Sequence, residues 1–222
     1  MRIFYLLILL TFILPLHAQR SDFKEIDFSR ADYIAERHKG ENLYNLPVLA
    51  HNLTTALSTD VERFRAIYYW VCHNIEGDYN LMRTFQRAHR REDITPDSLE
   101  RWRHQFRKDV FAKLRTEKRT LCTGYAYLIK ELAELAGLEC VIIDGHDITA
   151  TSKKYPPSHA WNAVKLNGKW YLCDATWSTG YTNMANYLFE FEFDDSFFLM
   201  DPSEFAKGHA PLDSEWLLLD QN

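Results

Sequence analysis

The chain has 222 residues, 46% hydrophobic and 14% aromatic, against only 8 glycines and 7 prolines, which excludes a disordered or fibrous protein and supplies enough apolar material for one folded core. Its net charge of −5 is unevenly placed, because residues 83–119 carry 12 Lys+Arg against 6 Asp+Glu, a segment at +6 beside a remainder at −11. No aromatic-interleaved nucleic-acid motif accompanies the basic segment, so it reads first as a solvated helix face and second as a docking face for an acidic partner, with no nucleic acid expected.

Met1-Arg2, the apolar run Ile3 to Leu16 and the small residue Ala18 follow one another as the parts of a secretory signal peptide, residues 1–18, cut after Ala18. The run is 14 residues long, short of the roughly 20 that cross a bilayer. Nothing later supplies a second run, so no stable membrane span is expected after cleavage. A secreted or periplasmic protein is expected, with an uncleaved anchor as the weaker alternative. Residues 19–222 read as a single domain, since no linker marks a boundary.

Ser29 to Gly40 has helical signals, with Ser29 as N-cap and Gly40 as stop. Asn45-Leu46-Pro47 opens a second helix. Thr59-Asp60-Val61-Glu62 is a capping box ahead of Val61, Phe64, Ile67, Tyr68, Val71 and Ile75 at helical spacing, a helix ending near Gly77. Leu99, Trp102, Phe106, Val110 and Leu114 mark another helix within the basic segment. Thr120 to Ala136 is a fifth, with Leu121, Tyr125, Leu128, Ile129, Leu132 and Leu135 facing inward and Cys122 in its first turn. The period then changes to two, giving strands at Cys140–Ile143, Ala160–Leu166 and Lys169–Ala175. The last two are joined by Asn167-Gly168, a strong hairpin signal. Helices first and antiparallel strands later predict an α+β domain.

A thiol at a helix N-terminus meets free N–H groups and the positive end of the helix dipole, both of which favour thiolate. Cys122 is therefore placed as a nucleophile. A two-residue turn at 167 and 168 sets Leu166 opposite Lys169 and Asp174 opposite Trp161. His159 and Asp174 then fall on one sheet face as diagonal neighbours, with backbones ~7 to 8 Å apart and side chains able to meet. An imidazole, its carboxylate orienter and a thiol make up a nucleophilic triad.

The stretches Leu121-Cys122-Thr123-Gly124-Tyr125-Ala126, His159-Ala160-Trp161-Asn162-Ala163-Val164 and Trp170-Tyr171-Leu172-Cys173-Asp174-Ala175-Thr176-Trp177 resemble the three motifs of the transglutaminase-like superfamily, in their usual order. Ile67 to Ile75 resembles the helix before that core. Phe197 to Pro202, His209-Ala210-Pro211 and Trp216-Leu217-Leu218 resemble the C-terminal extension of the kyphoscoliosis peptidase branch, so the likeness covers about residues 46–220. The resemblance implies a papain-like α+β fold with the nucleophile helix packed on an antiparallel sheet. It also implies catalytic roles for Cys122, His159 and Asp174, and acyl transfer on peptide or side-chain amides through a thioester, with hydrolysis (protease or amidase) favoured over cross-linking. A non-catalytic module binding a cell-surface or envelope polymer or protein is the alternative.

Two positions depart from the family pattern: Thr120 stands where Gly is common, which would narrow a cleft, and Gly77-Asp78 replaces Tyr-Asp, which would remove a ring. Trp70 and Trp102 are unmatched candidates for a second oxyanion donor, with core packing the plainer reading. No Cys-x-x-Cys or His-Glu-x-x-His run occurs, so neither metal nor cofactor is expected, and His146 reads as a solvated loop residue. With Cys122 free, at most one pair among Cys72, Cys140 and Cys173 can be bridged, and three buried free thiols are the plain reading.

Overall fold

The computed structural model describes residues 20–89, 95–149 and 159–219, and the expected signal peptide lies outside them. After a short 3-10 turn, helices α1 (Ser29–Arg37), α2 (Leu46–Thr54) and α3 (Asp60–Asn74) form in order. Asn45 caps α2 by accepting the Val48 N–H at 3.3 Å, and Thr59 with Glu62 closes the expected capping box on α3. Ser29 is the first residue of α1 rather than its cap: Phe28 takes the cap position with no side-chain bond, and the Ser29 N–H, which has no intrahelical acceptor, donates to Asp27 at 2.9 Å.

The α3 stripe of Val61, Phe64, Ile67, Tyr68 and Val71 is buried, as its spacing requires. Arg65 is buried among them. Its guanidinium is tolerated because Asp32 of α1 takes it from two nitrogens (2.6 and 2.9 Å), Asp195 pairs with it, and the Phe198 ring lies 4.9 Å from it.

Next come β1 (Glu76–Gly77), α4 (Tyr79–His89), the long basic helix α5 (Pro96–Glu117), β2 (Arg119–Thr120) and α6 (Cys122–Leu135). β1 and β2 pair in parallel, Gly77 with Thr120, which ties the end of α3 to the start of α6. Strands β3 (Cys140–Asp147), β4 (His159–Leu166) and β5 (Lys169–Cys173) then form an antiparallel meander. A short helix α7 (Ala175–Thr179), the hairpin β6 (Gly180–Asn183) and β7 (Leu188–Phe191), helix α8 (Pro202–Phe205) and strand β8 (His209–Pro211) complete the described chain. β8 adds to β3, giving the order β5-β4-β3-β8.

The mixed, antiparallel architecture is the α+β class expected. Helix α6 lies between α2 and α3 on one side and the sheet on the other, so its inward residues Tyr125, Leu128, Ile129 and Leu132 are buried on both flanks. Leu135 departs from the expected stripe and is 46% exposed, as the last residue of the helix. The other sheet face is covered by the C-terminal segment, with Ile143, Trp161 and Leu172 packed on Phe205 and Leu218. β4 is thus buried on both faces, which is why its sequence alternates poorly. β3 runs four residues beyond its expected end, and His146 lies on it, paired with Ala210, rather than in a loop. No disulfide forms: all four cysteines are free.

Candidate active site

The hairpin of β4 and β5 has the expected register, Leu166 opposite Lys169 and Asn162 opposite Cys173. Asn167 and Gly168 both take positive φ (51° and 82°), the backbone of a type I′ turn, and this sets every pairing beyond it. β5 ends two residues sooner than expected. Asp174 leaves the sheet to cap α7, where its Oδ1 accepts the Thr176 and Trp177 N–H groups at 2.8 and 3.2 Å. That cap aims Oδ2 at the first residue of β4, and His159 Nε2 donates to it at 2.6 Å.

The second ring nitrogen of His159 remains for Cys122, the first residue of α6, whose thiol interacts with the same ring. Burial opposes a charge on His159, but Asp174 and then Cys122 outweigh it and raise the imidazole well above its ordinary range. Burial likewise opposes ionisation of Asp174, yet His159 first and His209 second hold its carboxyl well below the usual carboxylate range. The three predicted residues are therefore brought into one contact chain.

The other cysteines are unsuited to such chemistry. Burial pushes the Cys72 and Cys173 thiols far up and the Cys140 thiol up to about 12. Cys122 alone of the four is partly exposed.

Thr120 does not narrow a cleft. It is fully buried, with its side chain against Gly124, where a Cβ would lie 1.8 Å from Oγ1. The ring missing beside Gly77 is supplied by Phe189 of β7, whose edge would meet a Cβ there at 3.2 Å. Trp70 donates its indole N–H to the His38 carbonyl at 2.7 Å and serves packing, while Trp102 stacks on Phe106 at 4.7 Å.

One member of the cluster was not singled out from the sequence. His209, buried on β8, reaches Asp174 Oδ2 at 3.0 Å, so His159, Asp174 and His209 form a buried group of three potential metal-ligating side chains. Its only sequence signal was membership of the C-terminal stretch His209-Ala210-Pro211, 35 residues from its partner. These groups meet as donors and acceptor of hydrogen bonds, which accounts for their proximity without an ion.

A family model described as the transglutaminase-like superfamily matches residues 47–175, and the chain belongs to that superfamily. Within it the chain falls in the kyphoscoliosis peptidase-like branch. It is 33% identical over 198 residues to the kyphoscoliosis peptidase of Homo sapiens, covering 86% of this chain and 27% of that one. It is 29% identical over 213 residues to hillarin of Drosophila melanogaster, covering 87% and 23%. The chain thus spans about a quarter of the length of these curated relatives. A solved TGase structure aligns at 16% identity with a TM-score of 0.41, covering 67% of this chain and 32% of that one.

Proposed function

We propose that the chain is a cysteine-dependent acyl-transfer enzyme acting on peptide or side-chain amides, with Cys122 as nucleophile, His159 as base and acid, and Asp174 as orienter. The observation that carries this reading is the 2.6 Å bond from His159 to Asp174 with Cys122 on the same imidazole. In the first half-reaction the Cys122 sulfur attacks the amide carbonyl carbon, and the His159 imidazolium gives its proton to the departing amine. A thioester remains. Water then gives a proton to His159 and adds to the thioester carbon, the acid leaves, and the thiolate and imidazolium are restored. As the first residue of α6, Cys122 has an N–H without an intrahelical acceptor, suited to the oxyanion.

Water is the favoured acceptor rather than an amine, a reading supported by the peptidase name of the human and mouse relatives. The N-terminal segment supports export, so the natural substrate is proposed to be a polypeptide outside the cytoplasm. No helix among the described residues is long and apolar enough to cross a membrane. Mass spectrometry of a generic polypeptide incubated with the protein and a primary amine tests the reaction. Backbone cleavage or side-chain deamidation that vanishes in Cys122→Ala is expected. Amine incorporation would replace the hydrolytic reading with transfer, and an unchanged polypeptide would leave a binding module.

A further inference from the structure

Asp174 is approached by two imidazoles, and the second has no place in a three-residue mechanism. We infer that His209 is a positioning residue that carries a second positive charge, so that the buried cluster is neutral when Cys122 is thiolate and His159 imidazolium. The inference rests on the reading of Cys122, His159 and Asp174 given above.

Sheet parity brings His209 to the cluster. Gly145 of β3 lies opposite both His159 and Pro211, and Asp147, two residues on, lies opposite His209. Paired residues share a face, so His159 and His209 stand on the same side of the sheet, and Asp174, just past the end of β5, reaches both from the cap of α7. Gly145 is needed between them: a Cβ there would lie 2.2 Å from the Trp161 ring and 2.5 Å from the Ala210 carbonyl.

Both ring nitrogens of His209 face acceptors. Nε2 is 3.0 Å from Asp174 Oδ2, and Nδ1 is 3.1 Å from the Phe205 carbonyl. A neutral imidazole has one N–H, so making both bonds takes the protonated ring. The surroundings suit a cation. The Phe205 ring stacks on His209 at 3.8 Å and Trp177 lies at 4.2 Å, faces that attract positive charge and, with the Asp174 carboxylate, offset the burial that leaves only 2% of the residue exposed.

The charges then balance. A thiolate, an imidazolium and the Asp174 carboxylate sum to −1, a costly total away from water. His209 brings it to zero. Two nearby acids are engaged elsewhere: Asp147 accepts the Thr149 N–H at 2.8 Å, and Glu204 is held by Lys207 at 2.5 Å on the surface. The four donors on Asp174 also fill the carboxylate, two on each oxygen, which leaves it one orientation.

Nitrogen-15 NMR of the full chain labelled at histidine tests the charge directly. At neutral pH both His209 nitrogens are expected to carry protons in the wild type, and Asp174→Asn is expected to return the ring to its neutral form. This readout does not depend on Cys122. In parallel, His209→Phe and His209→Gln are compared with wild type for iodoacetamide alkylation of Cys122 and for kcat and KM, with circular dichroism as the fold control. Gln keeps an N–H donor without charge, so both variants should alkylate at least about tenfold more slowly and lose kcat while KM holds. A neutral His209 ring in the wild type, or wild-type alkylation and kcat in either folded variant, overturns the inference. Activity retained in Cys122→Ala would instead sink the nucleophile assignment and leave the ring spectrum standing.

Discussion

Four free thiols in one chain differ in reactivity by environment alone. Three are sealed in the core with ionisation opposed by burial, whereas Cys122 sits at a helix N-terminus beside a charged imidazole. Peptide mapping after brief iodoacetamide treatment of the native protein should find the adduct on Cys122 first, and faster labelling of Cys72, Cys140 or Cys173 would be the contrary result. Asp174→Asn should preserve the fold by circular dichroism, since the amide oxygen can still cap α7, yet lower kcat by roughly 10⁴-fold, as the amide neither orients nor stabilises a charged ring. An unchanged rate would remove Asp174 from the mechanism. The same variant carries a pH signature. The folded-state carboxyl of Asp174 is depressed, so its stabilising contribution is fully present above the unfolded value near pH ~4 and is lost as pH falls through the folded value. Thermal unfolding should therefore show the stability gap between wild type and Asp174→Asn narrowing as the solution is acidified, whereas a constant gap would contradict the assignment.

At the scale of elements, α6 is held in place by one close approach. Thr120 ends β2 and Gly124 lies in the first turn of the helix, and the space between them admits no methyl group. Gly124→Ala should cost about 1–3 kcal/mol in denaturant unfolding through overpacking. It should also slow Cys122 alkylation, because the shift falls on the helix's first turn. Adding Thr120→Gly should recover much of both losses, and a double variant no better than the single one would show that the strain lies elsewhere. Whatever was legible beforehand was local. Capping chemistry at Asn45 and Thr59 and helical spacing in α3 and α6 set those helices, and Asn167-Gly168 alone set the hairpin register that joins His159 to Asp174. The elements that stayed hidden are fixed by partners distant in sequence. β8 is a three-residue strand that exists because β3 offers an edge, and among the described residues β6 pairs with β7, while α4 is largely polar, its start marked by Asp78, which accepts the Leu81 N–H at 3.0 Å. His209 was hidden for the same reason, since its partner lies 35 residues away across a sheet.

Over the whole molecule, the charge asymmetry of the sequence becomes a placement. The basic segment is mostly α5, which runs through β2 directly into the helix carrying Cys122, so its exposed face and the candidate site share one stretch of chain. Not all of its cations are available. Lys113 bonds the buried carboxylate of Asp78 at 2.5 Å, with Arg119 nearby at 3.8 Å, and these partly exposed cations are engaged at the β1–β2 junction. Arg101, Arg107 and Lys108 are exposed, and the surface partner of Arg107, Glu100, is a loose 3.5 Å contact of little energetic weight. An acidic polypeptide approaching Cys122 would feel these charges over ~8 to 10 Å at ordinary ionic strength. Reversing the three to Glu should therefore raise KM for acidic substrates and flatten the dependence of kcat/KM on salt, while kcat and the KM for neutral substrates stay nearly constant because none of the three touches the His159–Asp174 pair. If acidic and neutral substrates respond alike to the triple reversal, with an unchanged salt slope, the basic face of α5 is solvated surface and substrate choice resides elsewhere.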